Sequence, residues 1–261
     1  MDLGIAGRTA LVLGAGGGLG GAVANALAAE GVCVAVAGRN RDRAAEAANS
    51  IACKGGQSLA LSWDLQDLDA IEVNIGRLEE EWGHVDILVN NTGGPPPGSI
   101  IGHDLQTWRT QVDAMVLSVI ALTDRLLPSM RDAKWGRVIT STSSGVVAPI
   151  PQLGLSNSLR STLVAWSKTL ANEVGGEGIT ANIVVPGRID TKRVAALDES
   201  RAARESVPVD NVRQRSLAAI PAGRYGAPEE YAAVVAFLAS EQASYVNGTV
   251  VRIDGGMIAS I

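Results

Sequence analysis

The sequence predicts an α/β fold with a doubly wound, seven-stranded parallel sheet flanked by helices. Three observations support this prediction. Short β-branched segments alternate with helix-like segments, and this order requires right-handed crossovers between parallel strands. The strand segments are almost continuously apolar, as strands covered on both faces are. Apolar residues make up 46% of the chain and aromatic residues only 3%, so Ala, Val, Leu and Ile must form the core.

Each element follows from a local pattern. The strand-like segments are residues 9–13, 32–37, 58–62, 85–89, 137–141, 179–185 and 249–253. The segments with helical character are residues 19–30, 41–53, 68–82, 105–130, 154–174 and 228–240. Residues 191–224 carry no strand signal, are polar and contain several arginines. We predict a single domain over residues 1–261 in which residues 191–224 form a lid; a surface pair of helices is a compatible interpretation.

Composition and charge exclude several classes of protein. The 261 residues carry a net charge of −5 and no long basic run, which argues against a nucleic-acid partner. No apolar stretch is long enough to cross a membrane, and the first residues do not resemble a signal peptide. The cysteines are Cys33 and Cys53, and no His, Cys and carboxylate cluster has metal-ligand spacing. We therefore expect a cytoplasmic protein with no membrane partner and no metal.

A glycine-rich turn, residues 14–20, joins the first strand to an alanine-rich helix. Such glycines let the backbone approach a pyrophosphate, and the helix N-terminus offers free N–H groups and positive potential. The alternative is a tight turn without a ligand. Because the turn opens the first βαβ unit, we predict a Rossmann-like dinucleotide site. The predicted contacts in the turn are Gly14, Gly16, Gly17, Gly18, Leu19 and Gly20.

The end of the second strand bears on the choice between NAD and NADP. An NAD site usually carries Asp or Glu there, to hold the ribose hydroxyls. Here the strand is followed by Arg39, and the first carboxylate is Asp42. The Arg39 guanidinium suits a 2′-phosphate; the alternative is a solvated loop charge. We predict NADP(H) in preference to NAD(H).

With these motifs the chain resembles the short-chain dehydrogenase/reductase family over essentially its whole length. Gly14, Gly18 and Gly20 match the family's G-x-x-x-G-x-G turn. Residues 90–93 resemble its N-N-A-G segment, and residues 186–191 resemble its P-G-x-I-x-T segment beside the nicotinamide. The resemblance implies further cofactor contacts from Asp64, Leu65, Asn91, Gly93, Pro186, Gly187, Ile189 and Thr191. It also implies a homo-oligomer, either a tetramer or a dimer.

The resemblance fails at the catalytic residues. The family uses a Ser, a Tyr and a Lys, with an Asn in the preceding long helix. In the alignment Ser143 stands at the position of the family Ser, whereas Ser156 and Arg160 take the places of the Tyr and the Lys. Met115 takes the place of the Asn. A shift in register does not restore the Tyr, because every tyrosine of the chain lies beyond residue 224.

The remaining residues favour reduction of a carbonyl. Ser156 and Arg160 are four residues apart on one helix and share a face. Near neutral pH a serine hydroxyl does not ionise and an arginine stays protonated, so neither is a general base. The guanidinium can instead stabilise a developing alkoxide, with Ser143 and Ser156 as additional donors.

We therefore predict an oxidoreductase that reduces a ketone or aldehyde with NADPH, with Ser143, Ser156 and Arg160 as catalytic residues. Arg160 is also expected to contact the ribose. By family analogy alone the substrate is of the 3-oxoacyl type. In the reverse direction it would be an alcohol. The alternative is a decayed site in a non-catalytic NADP(H)-binding sensor or scaffold. A pocket lined by convergent donors would favour the reductase, and an occluded pocket would favour the sensor.

Overall fold

The computed structural model describes residues 2–261, and its centre is a seven-stranded sheet in which every pairing is parallel. The strands are β1 Thr9–Val12, β2 Cys33–Gly38, β3 Ser58–Ser62, β4 Ile87–Asn90, β5 Gly136–Ser141, β6 Ile179–Pro186 and β7 Val250–Ile253. They lie in the order β3-β2-β1-β4-β5-β6-β7. The predicted fold class is confirmed, and the observed strand bounds differ from the predicted ones by at most two residues.

Helices cover both faces of this sheet. They are α1 Gly18–Ala29, α2 Arg41–Ala52, α3 Ala70–Trp82, α4 Leu105–Val112, α5 Ser118–Asp132, α6 Gly154–Val174, α7 Lys192–Glu205, α8 Val209–Ala218 and α9 Pro228–Leu238. Successive residues of β1 serve opposite faces, since Val12 packs with Val23 of α1, whereas Leu11 packs in the cluster that contains Leu122 and Leu126 of α5. This arrangement explains why the strands are apolar at every position.

The strand order reverses between β1 and β4. The chain moves outward from β1 through β2 to β3, then returns and continues on the other side from β4 to β7. Val12 is in register with Val36 of β2 and Val89 of β4, so the three strands end at the same edge. In open α/β sheets ligands bind outside the carboxyl ends of the strands at such a reversal.

One segment differs from the sequence interpretation. The helix predicted over residues 105–130 is two helices, α4 and α5, joined by a π-helical turn at Asp113–Leu117. Met115 and Val116 of this turn are buried, and Ser118 donates a hydrogen bond to the Ala114 carbonyl at 2.9 Å. The turn inserts an extra residue into an apolar pattern that otherwise reads as one continuous helix. Residues 191–224 contain the helices α7 and α8.

Gly20 is required by the contact between α1 and the glycine turn. A Cβ at Gly20 would lie 2.4 Å from the Gly14 carbonyl oxygen. We expect Gly20→Ala to lower the free energy of unfolding by about 1–3 kcal/mol, because backbone must move to admit the methyl group. Urea denaturation of the protein without nucleotide measures this change.

Gly76→Ala is the matched control. Gly76 lies inside α3, and among residues 2–261 a Cβ there would meet nothing within 4 Å. This substitution should stabilise the protein by about 0.5–1 kcal/mol through helix propensity alone. A Gly20→Ala protein as stable as the wild type would contradict the close approach of α1 to the turn.

Candidate active site

A cleft of about 2470 Å³ opens at the carboxyl ends of the central strands. The glycine turn, the ends of β2 and β5, the loop after β4 and the helix α7 border it. Its position is the one that the strand reversal predicts. Of the predicted cofactor-binding residues, those that border it are Gly14, Gly16, Gly17, Gly18, Leu19, Arg39, Asp64, Leu65, Asn91, Gly93, Arg160, Pro186, Gly187 and Thr191.

Two predicted cofactor contacts, Gly20 and Ile189, do not border the cleft. Gly20 faces Gly14, where it lets the helix pack against the turn. Ile189 is 3% exposed and belongs to the core cluster that contains Val184 and Tyr231. Both residues therefore affect the cleft through packing, and neither lies in its lining.

The glycine turn presents open backbone at the N-terminus of α1. Gly17 and Gly18 have φ angles of 141° and 57°, which favour glycine. Within residues 2–261, a Cβ at Gly17 would meet nothing within 4 Å, and at Gly18 only the Thr191 methyl at 3.9 Å. The first N–H groups of a helix have no partner within it. This combination of space, N–H groups and positive potential fits a dinucleotide pyrophosphate.

Two arginines flank the turn from the β2 side. Arg39 follows β2, Arg43 lies in the first turn of α2, and both are exposed and border the cleft. Arg43 Cβ lies 3.2 Å from the position that a Cβ at Gly16 would occupy. Asn40 caps α2 by accepting from the Arg43 N–H at 2.9 Å, which fixes this geometry. Sequence reasoning found Arg39 and missed Arg43, whose position depends on how α2 packs.

Arg160 is the most buried charge at the cleft. It is 7% exposed and donates from Nη1 to the Ser141 carbonyl at 2.8 Å and from Nη2 to the Gly93 carbonyl. These bonds hold the guanidinium between β5 and the loop after β4. Burial lowers the pKa of Arg160 to about 10. The group is therefore still a cation at neutral pH.

Ser156 and Ser143 also border the cleft. Ser156 is buried and lies one helical turn before Arg160, with its hydroxyl 4.0 Å from the position that a Cβ at Gly94 would occupy. The Ser143 hydroxyl accepts from the Gly145 N–H at 3.1 Å. That bond leaves its own proton free to donate. The structure thus brings all three predicted catalytic residues to one cleft.

The tyrosines are used elsewhere. Tyr231 is 1% exposed and donates to the Ser141 hydroxyl at 2.8 Å, and burial raises its pKa. Tyr225 donates to Asp198 at 2.7 Å. Within residues 2–261, the lining of the cleft contains no tyrosine. The substitution of Tyr by Ser156 is therefore not compensated from another part of the described chain.

The helix α7 borders the cleft at the predicted lid, and α8 packs against α7. Asp198 of α7 is buried and accepts from Arg188 and from Tyr225, which anchors α7 to the segment after β6. Glu205 pairs with Arg201 of α7 at 2.6 Å and with Arg215 of α8 at 2.5 Å. The pair between Glu205 and Arg215 joins the two helices into one unit.

Arg193 is the site residue that the sequence least revealed. It lies in the first turn of α7 and donates to the Pro95 carbonyl at 2.8 Å. Its Nη2 atom is 3.7 Å from the position that a Cβ at Gly94 would occupy, and Nη2 of Arg160 is 3.6 Å from the same point. The arginine content of this segment was the only signal for it in the sequence.

Across residues 2–261, no group of three His, Cys, Asp or Glu side chains could hold a metal ion. None of the described helices is long and apolar enough to cross a membrane. The cleft offers a strip of open backbone, two exposed cations at one end, and Arg160, Arg193 and two hydroxyls at the other.

Comparison with known proteins places this geometry among oxidoreductases. The family model described as enoyl-(acyl carrier protein) reductase matches residues 14–258. The 3-oxoacyl-[acyl-carrier-protein] reductase of Escherichia coli is 35% identical over 253 residues, 96% of this chain and 97% of that protein. D-beta-hydroxybutyrate dehydrogenase of Cupriavidus necator is 32% identical over 257 residues, 97% of this chain and 98% of that protein.

A solved structure agrees with these sequence matches. L-sorbose reductase from Gluconobacter frateurii, complexed with NADPH and L-sorbose, superposes with a TM-score of 0.94 at 30% identity, and each chain is covered completely. The catalytic function of all these relatives decides against the sensor or scaffold alternative. This chain belongs to the short-chain dehydrogenase/reductase family, and it is an enzyme of the oxidoreductase class.

Proposed function

We propose that this enzyme reduces a ketone or aldehyde to an alcohol with NADPH, without a tyrosine acid. The observation that carries the proposal is the buried Arg160 cation, held by two backbone carbonyls beside the Ser156 hydroxyl. A fixed cation at a water-poor position is suited to charge that develops on oxygen during a reaction. The reductases among the relatives, including the one solved with NADPH, support the direction of the reaction.

Each side chain has a defined part in the proposed reaction. NADPH held along the glycine turn and Arg39 would supply the hydride for the carbonyl carbon and would leave as NADP⁺. As the hydride is transferred, the substrate oxygen acquires negative charge, and the Arg160 guanidinium with the Ser143 and Ser156 hydroxyls donates hydrogen bonds to it. A proton from solvent then completes the alcohol. Oxidation of an alcohol would require a base, and these three side chains provide none near neutral pH.

The cofactor preference is part of the proposal. Arg39 and Arg43 stand at the cleft beside the end of β2, where an NAD site usually has a carboxylate. Guanidinium groups bind phosphate oxygens with charge-assisted hydrogen bonds. The relative solved with NADPH supports the same cofactor. The 3-oxoacyl character of the substrate rests on the name of the Escherichia coli relative alone.

We propose further that residues 1–261 act as one dinucleotide-binding unit, with the segment 191–224 as the lid over the substrate. A cytoplasmic homo-oligomer, a tetramer or a dimer, is the assembly we propose. Its support is apolar surface at the sheet edge and beside α5: Val250 of β7 is 40% exposed and Leu117 is 40% exposed. Edge strands and apolar patches of this kind are commonly covered by another subunit.

The proposed function is tested first by cofactor binding and then by turnover. NADPH and NADH are titrated by fluorescence, and a panel of diketones and acyl thioesters is added to the NADPH complex. We expect tighter binding of NADPH than of NADH, and NADPH oxidation with at least one carbonyl compound. NADPH binding without turnover of any carbonyl would contradict the proposed reaction. Equal affinity for the two nucleotides would contradict the cofactor preference.

A further inference from the structure

Two guanidinium groups meet at Gly94 without an acidic partner. Nη2 of Arg160 and Nη2 of Arg193 both lie less than 4 Å from the position of a Cβ at Gly94. Among the described residues, no carboxylate lies within 4.0 Å of either group. Both groups are bound by backbone carbonyls, those of Gly93, Pro95 and Ser141. Two positive charges beside one point of the cleft favour the binding of an anion between them.

Most of the hydrogen-bonding capacity of Arg193 is unused. A guanidinium has five N–H donors, and the Pro95 carbonyl takes one from Arg193. Arg193 is exposed to the solvent of the cleft, and its partial desolvation there lowers its pKa. The donors remaining on Arg193 are sufficient for a bidentate pair with a carboxylate.

The place of Arg193 in the cleft favours the substrate over the cofactor phosphates. The open glycines of the phosphate turn lie next to Thr191, since the Thr191 methyl is 3.9 Å from a Cβ at Gly18. Arg193 instead reaches to Pro95 on the loop after β4. There it lies with Arg160 and Ser156, the side chains assigned to the reacting carbonyl.

We propose that Arg193 is a specificity-determining residue that binds a carboxylate of the substrate, so that the enzyme reduces an oxo acid in preference to a neutral ketone. This inference rests on the proposed carbonyl reduction and narrows its substrate class. The cation assigned to the reacting oxygen, Arg160, lies next to the one assigned to the acid group. The carboxylate of the substrate is therefore close to its carbonyl, as in a 2-oxo or 3-oxo acid.

Binding of malonate tests the proposal without turnover. Malonate is a dicarboxylate with no ketone to reduce, and saturation with NADP⁺ fills the phosphate-binding end of the cleft. By isothermal titration we expect malonate to bind the wild-type complex, and Arg193→Gln to weaken it by about 10- to 100-fold. Arg204→Gln is the matched control, because Arg204 borders the cleft on the same helix about 16 Å further along its axis. This variant should bind malonate like the wild type.

Turnover of acetoacetate and its methyl ester separates the remaining outcomes. These ketones differ only in the carboxylate, and we expect Arg193→Gln to lower kcat/KM for the acid about 10- to 100-fold while the ester changes little. If malonate binds through Arg193 but neither ketone is reduced, the carboxylate site stands and the proposed reaction fails. If both ketones react equally well and malonate does not bind, the reaction stands and the carboxylate site is wrong. An Arg193→Gln protein that loses NADPH affinity tenfold instead would assign Arg193 to the cofactor phosphates.

Discussion

Arg160→Gln is expected to lower kcat for carbonyl reduction by about 100- to 1000-fold, the loss typical when one preorganised donor to a developing oxyanion is removed. Glutamine retains an N–H donor but carries no charge. It cannot reach both the Ser141 and the Gly93 carbonyls in the geometry of the guanidinium. The free energy of unfolding should fall by about 1–3 kcal/mol, because one buried carbonyl loses its partner. Single-turnover oxidation of bound NADPH measures the chemical step directly.

Arg160→Lys and Ser143→Ala give this prediction its controls. Lysine restores the charge but not the planar fork, so the rate should recover only in part. Removing the Ser143 hydroxyl takes away one neutral donor and should cost about 10-fold, less than loss of the cation. If Arg160→Gln and Ser143→Ala both reduced a proven substrate at the wild-type rate, the assigned catalytic roles would be wrong.

The pH dependence of the rate reports the same group. Burial lowers the pKa of Arg160 to about 10, and the charged form is the one that stabilises the alkoxide. The rate of reduction should therefore be flat through neutral pH and fall as the pH rises through about 10. In Arg160→Gln this alkaline decline should be absent. A rate that depends strongly on pH between about 6 and 9 would indicate a different acid, of the kind that ordinary histidine or cysteine side chains supply.

The parts of the molecule that were predictable are those encoded locally. The glycine turn lies between a strand and a helix and could be placed from its own residues, and so could the relation of Ser156 to Arg160, four residues apart on α6. The π-helical turn at Asp113–Leu117 was missed because a single inserted residue barely changes the apolar pattern. The roles of Gly20 and Ile189 in packing were missed for a related reason. A motif identifies a position in the chain, but the direction in which the residue faces depends on the neighbouring elements.

The arginines that border the cleft were less predictable, because their positions depend on contacts between residues that are far apart in the sequence. Arg193 and Pro95 are 98 residues apart in the chain, and no periodicity connects them. Arg43 reaches the cleft only because α2 packs beside Gly16. Tyr231 lies next to Ser141 after the chain has crossed most of the sheet. Each of these neighbours is set by the tertiary fold, so the residue type alone gave little indication of it.

Arg39→Asp is expected to weaken NADPH binding by about 10- to 100-fold and to strengthen NADH binding. The substitution removes a cation that can bind the 2′-phosphate and places a carboxylate where NAD sites usually hold the ribose hydroxyls. Arg43 remains at the cleft beside Gly16, so some NADPH affinity should persist and should disappear in the Arg39→Asp, Arg43→Gln double variant. Fluorescence titration with both nucleotides at several salt concentrations measures the change, since screening weakens exposed phosphate contacts.

Arg41→Asp distinguishes a direct contact between Arg39 and the 2′-phosphate from the general electrostatic potential at this end of the cleft. Arg41 is exposed, lies two residues from Arg39 and does not border the cleft, yet its substitution changes the net charge by the same amount. A direct 2′-phosphate contact predicts that Arg41→Asp changes NADPH affinity less than threefold or so, an effect that salt removes. If Arg41→Asp weakened NADPH as much as Arg39→Asp, the preference would come from the overall potential near α2, and Arg39 would be a solvated loop charge after all.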